Sequence, residues 1–367
     1  MKKILFISHD AYRAGGQILL INLAELILLF SDYEVHFLLK NGGELENDFK
    51  KLAPTFCLYE QKKGNRFFKK KSIIEDSLFL NQYDCIVSNT ITNGDILGII
   101  KDNYKGRIIT YIHELSMASK TFTTNKDLLK VITNTDLFCV PSSLVKEFII
   151  KDLNILKNKT FLLPYYIQNK EILETQIPLK IQSFIIGGCG TIDWRKGPDL
   201  FLQVAQQLFV KYPDISILFK WRGATNGIEL ERLNYQLEKA NLTNKVFFDL
   251  ATDTLDSFYN EIDLLLLTSR EDPYPLVVLE AASFAKPTIC FDEVCGSIDF
   301  INKSDGGVVV PFLDIPAIVS SILLFYEDEL YRKQKGENAR EYLLGTHSNK
   351  KYVYDKFVEL IERAINA

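Results

Sequence analysis

Two carboxylates, Asp272 and Glu280, stand where a strand gives way to a helix. The apolar run Leu264-Leu265-Leu266-Leu267 reads as a buried strand. It passes through Thr268, Ser269 and Arg270, then two acids and two prolines, into an apolar helix predicted from Leu276 to Phe284. Glu280 falls on the second turn, where 3.6 residues per turn aim it back toward the loop carrying Asp272. The N–H groups that open the helix face the same small volume. Such groups suit an anion, and a carboxylate beside them suits sugar or ribose hydroxyls, so the chemistry implied is the holding of a phosphate-bearing sugar. Glu271 adjoins Asp272 and competes for the place of the first acid.

Cations are placed to join that chemistry. A strand read from Phe184 to Gly188 leads through Cys189-Gly190-Thr191-Ile192-Asp193-Trp194-Arg195-Lys196-Gly197-Pro198 into a helix from Asp199 to Lys211. Gly188-x-Gly190 hints at a dinucleotide fingerprint, but Asp193 occupies the third glycine's place, which weakens an NAD reading. Arg222-Gly223, read as lying just past a strand that ends at Trp221, adds a cation. Earlier in the chain, Gly15-Gly16 precedes a helix read from Ile18 to Phe30. A glycine pair there lets backbone approach a phosphate, although a tight turn needs the same residues. His113-Glu114 follows a strand read from Ile108 to Ile112, and His9 ends the strand Ile4 to Ser8, so both histidines stand at strand ends, where such polar residues are the ones to inspect.

These residues sit on a repeating scaffold. Short apolar runs at Ile4 to Ser8, Val35 to Leu39, Cys85 to Ser88, Ile108 to Ile112, Leu137 to Val140 and Phe161 to Leu163 alternate with helical or loop segments. The rhythm resumes at Phe184 and continues through Ile215 to Trp221, Val246 to Asp249, Thr288 to Phe291 and Gly307 to Val310. Alternation of this kind implies doubly wound parallel sheets, whose ligands bind beyond the carboxyl ends of the strands. The expected domains are residues 1–165 and 183–345, joined by a linker at 166–182 and followed by a terminal amphipathic helix in 346–367.

With 367 residues, 47% hydrophobic and 25% charged, the chain is long enough for two cores. A net charge of −4 gives no general footprint for nucleic acid. The six cysteines form no CxxC pair and read as reduced core residues. Met1-Lys2-Lys3 runs straight into a strand, and no run approaches the ~18 apolar residues of a membrane span, so the expected compartment is the cytoplasm. One stretch departs from the acidic balance: Lys62, Lys63, Arg66, Phe67, Phe68, Lys69, Lys70 and Lys71. It reads either as a solvated face or as peripheral attachment to anionic lipid, with the aromatic pair at the interface.

The Asp272-(seven residues)-Glu280 pattern, with Ser269, Leu276-Val277, Ala281 and Lys286-Pro287 around it, resembles the signature of the retaining glycosyltransferases of family four, the glycosyl transferases group 1. The resemblance covers most of the chain and is strongest from Gly187 to Pro311. It implies the GT-B architecture, two Rossmann-like domains facing a cleft, with the first domain on the acceptor side and the last helix crossing back to it. The donor, a nucleotide diphosphate sugar, is then bound by Gly15, Gly16, Arg195, Lys196, Arg222, Glu271, Asp272, Tyr274, Pro275, Leu276, Val277 and Glu280. His113, Asp272 and Lys196 carry catalysis. Many relatives have an arginine where Thr191 stands; Arg195 either substitutes for it or is simply exposed. No Asp-x-Asp motif occurs, so no metal and no cofactor is expected. The acceptor is a saccharide or lipid-linked saccharide. Two other readings remain: a nucleotide-sugar epimerase of the same architecture, and a catalytically degenerate sugar-binding subunit.

Overall fold

The computed structural model describes residues 1–60, 68–69, 72–169, 183–252 and 254–366. It divides into two compact units, Met1–Ile167 with Asn349–Ala367, and Gln168–Ser348.

The first unit is built on eight strands: β1 (Lys3–Ser8), β2 (Glu34–Asn41), β3 (Thr55–Glu60), β4 (Phe68–Lys69), β5 (Cys85–Asn89), β6 (Arg107–Tyr111), β7 (Leu137–Val140) and β8 (Thr160–Leu162). Their order is β4-β3-β2-β1-β5-β6-β7-β8, parallel except where β4 runs antiparallel to β3. The continuous apolar run Ile4–Ile7 is fully buried, as a strand covered on both faces must be. β3 and β4 have no counterpart in the sequence reading; Thr55, Phe56 and Cys57 of β3 are half-buried, and the segment gives no unbroken apolar run. Apart from Phe68-Lys69, the basic stretch from Lys62 to Lys71 lies outside the described residues.

The helix predicted from Ile18 starts earlier, at Gly15 (Gly15–Phe30). Ile18 N–H already donates to Ala14 O at 3.2 Å, so the glycine pair lies inside the first turn rather than ahead of it. The last helix, Lys350–Ile365, belongs to this unit. Its Phe357 packs on Phe6 with ring centroids 6.0 Å apart, and its Glu362 takes Lys2 at 2.6 Å and the Tyr33 hydroxyl.

The second unit holds six parallel strands: β9 (Phe184–Cys189), β10 (Ile217–Ala224), β11 (Val246–Leu250), β12 (Leu264–Leu267), β13 (Thr288–Phe291) and β14 (Gly307–Val310), in the order β11-β10-β9-β12-β13-β14. Phe201, Phe219, Trp221, Phe291 and Phe325 fill its core. The chain winds outward from β9 in one direction and from β12 in the other. The sheet's topological switch therefore lies between these two strands, and their carboxyl-end loops meet. β10 does not stop at Trp221. It bulges between Arg222 and Ala224, which puts Arg222 and Gly223 inside the strand. Gly223 has φ +118°, and a Cβ there would lie 2.4 Å from Gly190 O.

The six cysteines form no disulfide among the described residues; five are buried and Cys57 is half-buried. Among the described residues, no helix is long and apolar enough to cross a membrane.

Candidate functional site

The loop after β9 is a tight turn organised by Asp193. Its Oδ1 accepts the Lys196 N–H at 3.0 Å, and its backbone oxygen accepts the N–H groups of Lys196 and Gly197, both at 3.2 Å. The place of a third glycine is thus taken by a side chain that closes its own turn, which is why the dinucleotide fingerprint fails here. Gly197 then takes the left-handed conformation, φ +71°, ahead of the helix Pro198–Lys211. A Cβ at Gly197 would lie 2.2 Å from Thr268 O in the loop after β12, so only glycine allows the two loops to touch.

Four further bonds stitch the loops together. Arg270 N–H donates to Arg195 O at 2.7 Å, Thr268 Oγ1 to Gly197 O at 2.8 Å, Arg195 Nη1 to Glu271 O at 3.0 Å and Arg270 Nη1 to Trp194 O at 2.7 Å. On the other side, Asp272 pairs as a single parallel bridge with the loop after β13. Its N–H donates to Val294 O and its carbonyl accepts from Gly296 N–H, both at 2.8 Å.

Fixed from both sides, the Asp272 carboxylate has one direction to face. Lys196 Nζ lies 2.6 Å from its Oδ2, Ser269 Oγ is 3.3 Å from the same oxygen, and Arg195 Nη1 is 3.9 Å from Oδ1. The Asp272 side chain is only 5% exposed and that of Lys196 15%. Of the two adjacent acids, then, it is Asp272 whose side chain meets the cations; Glu271 offers them its backbone carbonyl.

The remaining candidates divide. Pro275 caps the helix Leu276–Ser283, whose first N–H groups, on Leu276 and Val277, have no acceptor within the helix. Glu280 lies on that helix with its Oε2 accepting the Tyr259 hydroxyl at 2.6 Å. The buried Tyr274 is turned elsewhere, its hydroxyl 2.8 Å from His347 Nε2. Arg222 reaches across to the neighbouring strand, with Nη2 3.2 Å from Asp249 and Nη1 3.4 Å from Leu250 O, rather than toward Lys196. Because β10 runs on past Trp221, Arg222 stands in the sheet and not on a rim loop.

In the first unit, His113 and Gly16 come together around Asn89. Asn89 Nδ2 donates to Gly16 O at 3.0 Å, which leaves its Oδ1 as the acceptor facing His113 Nε2 at 2.6 Å. Nε2 must therefore carry a proton, and Nδ1, 2.7 Å from the Tyr165 hydroxyl, accepts. The ring is neutral: burial, with a lesser push from His9, takes its pKa down to about 3. Glu114, not singled out above, is buried and pushed up to about 7 by that burial, against the backbone N–H groups of His113 and Ile91 at 2.9 and 3.4 Å. Thr90 joins this cluster with φ +71°, a strained conformation for a β-branched residue that clusters at functional sites. Gly15 opens the adjacent helix. His9 packs with Gln17 and Asp10 instead, 3.2 Å from each.

Residues 169–342 match the family model described as Glycosyl transferases group 1. The match spans most of the second unit, which is thus similar to the group 1 glycosyl transferases. Among curated proteins, the O-antigen biosynthesis glycosyltransferase WclY of Escherichia coli is 24% identical over 82% of this chain and 86% of its own. The alpha-galactosylglucosyldiacylglycerol synthase of Streptococcus pneumoniae is 26% identical over 62% of this chain and 65% of its own. Among solved structures, Anabaena Alr3699/HepE in complex with UDP and glucose superposes with a TM-score of 0.80 at 16% identity, covering 99% of this chain and all of that one. The fold is accordingly that of the GT-B glycosyltransferases.

Proposed function

We propose that the chain moves a sugar from a nucleotide diphosphate sugar to a saccharide or lipid-linked saccharide acceptor, in surface polysaccharide or glycoconjugate synthesis. It does so with retention at the anomeric carbon and without a metal. The observation that carries this reading is the Lys196–Asp272 pair, held between the loops after β9 and β12 beside the switch point at which ligands of doubly wound sheets bind. Support for the donor comes from the Anabaena relative's UDP and glucose, and for the acceptor from the polysaccharide and glycolipid chemistry named for WclY and the pneumococcal synthase.

In the reaction an acceptor hydroxyl oxygen bonds to the anomeric carbon while the bond from that carbon to the diphosphate oxygen breaks. The electron pair stays with the diphosphate, and a departing phosphate oxygen takes the acceptor proton. Asp272 occupies one N–H direction of Lys196 and leaves the ammonium two more for the diphosphate. Because negative charge grows on the leaving group, a preorganised Lys196 with Arg195 beside it stabilises the transition state more than the ground state. The N–H groups of Leu276 and Val277 add fixed dipoles of the right sign. Glu280 takes the ribose hydroxyls and Asp272 the hydroxyls of the transferred sugar.

Transfer is tested by screening nucleotide sugars for thermal stabilisation and then following nucleoside diphosphate release with and without saccharide acceptors. Acceptor-dependent release supports the proposal. Isomerisation of the donor with no acceptor present makes the chain an epimerase, and donor binding without release makes it a sugar-binding subunit. Activity is expected to survive EDTA; loss restored by Mn²⁺ contradicts the metal-free step.

A further inference from the structure

Glu280 does not stand alone. The Tyr259 hydroxyl donates to its Oε2 at 2.6 Å, and Tyr259 is 1% exposed. We propose that Tyr259 is the positioning residue that orients Glu280 for recognition of the nucleotide's ribose, a proposal that rests on the ribose assignment of Glu280 made above.

Tyr259 lies on the short helix Asp256–Glu261 that leads into β12, and the sequence lets that helix come close. Gly187 in β9 has no side chain, and a Cβ there would lie within 2.7 to 2.9 Å of Ile262 and Phe258. The Tyr259 ring stacks on Phe284, just past the helix that carries Glu280, with centroids 5.6 Å apart and planes 24° apart. Phe258 meets it from another side at 5.4 Å. So placed, the ring leaves its hydroxyl a single location.

The chemistry there runs in one direction. Cys189, two residues past Gly187 on β9, interacts with the same hydroxyl, and burial pushes its thiol up to about 12, with the Glu280 charge as a lesser cause. Burial, again with the Glu280 charge behind it, holds the Tyr259 phenol well above its ordinary range. The phenol keeps its proton and donates it to the carboxylate. A buried hydroxyl held by ring packing and donating to Glu280 Oε2 fixes the carboxylate rotamer before any ligand arrives. Removing that fixation costs the ribose contact the ordering of one side chain, a factor of about two to ten in affinity.

The ribose contact is read by comparing UDP, GDP, ADP and CDP with their 2′-deoxy and 3′-deoxy counterparts in titration calorimetry. The wild type is expected to prefer at least one ribonucleotide, and Glu280→Gln to abolish that preference. Tyr259→Phe, which keeps the ring and its packing, is expected to cut the preference about two- to tenfold while leaving affinity for the deoxynucleotide unchanged. A purely structural tyrosine would lower both affinities together or neither. If Tyr259→Phe keeps the full wild-type preference while Glu280→Gln loses it, the positioning role falls and the Glu280 assignment stands. If Glu280→Gln keeps the preference as well, the assignment falls and takes the Tyr259 proposal with it.

Discussion

Replacing Lys196 by Met removes the ammonium that lies 2.6 Å from Asp272 Oδ2 and keeps much of the side chain's bulk. What remains is a carboxylate 5% exposed, with its backbone tied to Val294 and Gly296 so that it cannot turn out to water. Breaking a buried pair in this way costs about 3–5 kcal/mol, most of it the desolvation of the charge left behind. Arg195 at 3.9 Å and the Ser269 hydroxyl at 3.3 Å soften that penalty, which places the expected loss near the lower end, about 3 kcal/mol. For a unit of this size that is a fall in Tm of roughly 6–12 °C. Asp272→Asn alone leaves a cation with a route to solvent and should cost less. The double variant, with no charge to strand, should recover about 1–2 kcal/mol relative to the sum of the single losses. Calorimetry and urea unfolding on the four proteins of the cycle give the coupling. Additivity within about 0.5 kcal/mol would refute the claim that these two side chains form one buried unit.

The first unit's titrating pair makes opposite demands on pH. Between pH 4.5 and about 7 the folded chain keeps a proton on Glu114 that the unfolded chain has released, so that contribution to stability falls as pH rises. Between about 3 and 6.5 the unfolded chain protonates His113 where the folded chain does not, so that contribution rises with pH. Glu114→Gln should therefore expose a stability that climbs from pH 4.5 to 6.5, and His113→Asn one that declines over that window, each by up to about 1.4 kcal/mol per pH unit. Urea titrations at three pH values check this, and variant profiles parallel to the wild type's would contradict it. Gly197→Ala should cost more than about 1 kcal/mol, since a methyl at φ +71° meets Thr268 O; an unchanged Tm would show that the loops are not in contact. For the basic stretch we expect cosedimentation with anionic vesicles at low salt, lost when Lys69, Lys70 and Lys71 become Glu and weakened as salt shortens the Debye length. Equal binding by wild type and triple variant makes that stretch a solvated loop and a soluble acceptor the better reading.

How much of this was readable in the sequence depended on the range of the interaction. β12, its polar exit and the helix bearing Glu280 were legible because a buried parallel strand is an unbroken apolar run and the helix period follows at once. Lys196 was legible through the likeness of Arg195-Lys196-Gly197 to the loop that puts a lysine on the donor diphosphate in group 1 glycosyl transferases. That Asp272 rather than Glu271 meets it was not, because the choice is made by backbone bonds to Val294 and Gly296 in another loop. Arg222 was misplaced for a related reason: a glycine-containing bulge continues β10 where the apolar pattern stops. Glu114 and Tyr259 went unremarked, since a buried acid beside a histidine and a tyrosine in an amphipathic helix look ordinary until their partners are known. The left-handed φ of Thr90 has no signal in its residue type at all.

The central claim is that Lys196 stabilises the diphosphate as it leaves. The most direct measurement is the steady-state rate of acceptor-dependent nucleoside diphosphate release by Lys196→Ala against the wild type, at saturating and at limiting donor. A preorganised oxyanion-type donor predicts a fall in kcat of about a hundredfold or more, with kcat/KM falling at least as far. An unchanged kcat with only a raised KM would mean that Lys196 binds the donor's ground state and transition state alike, and the claim would not stand.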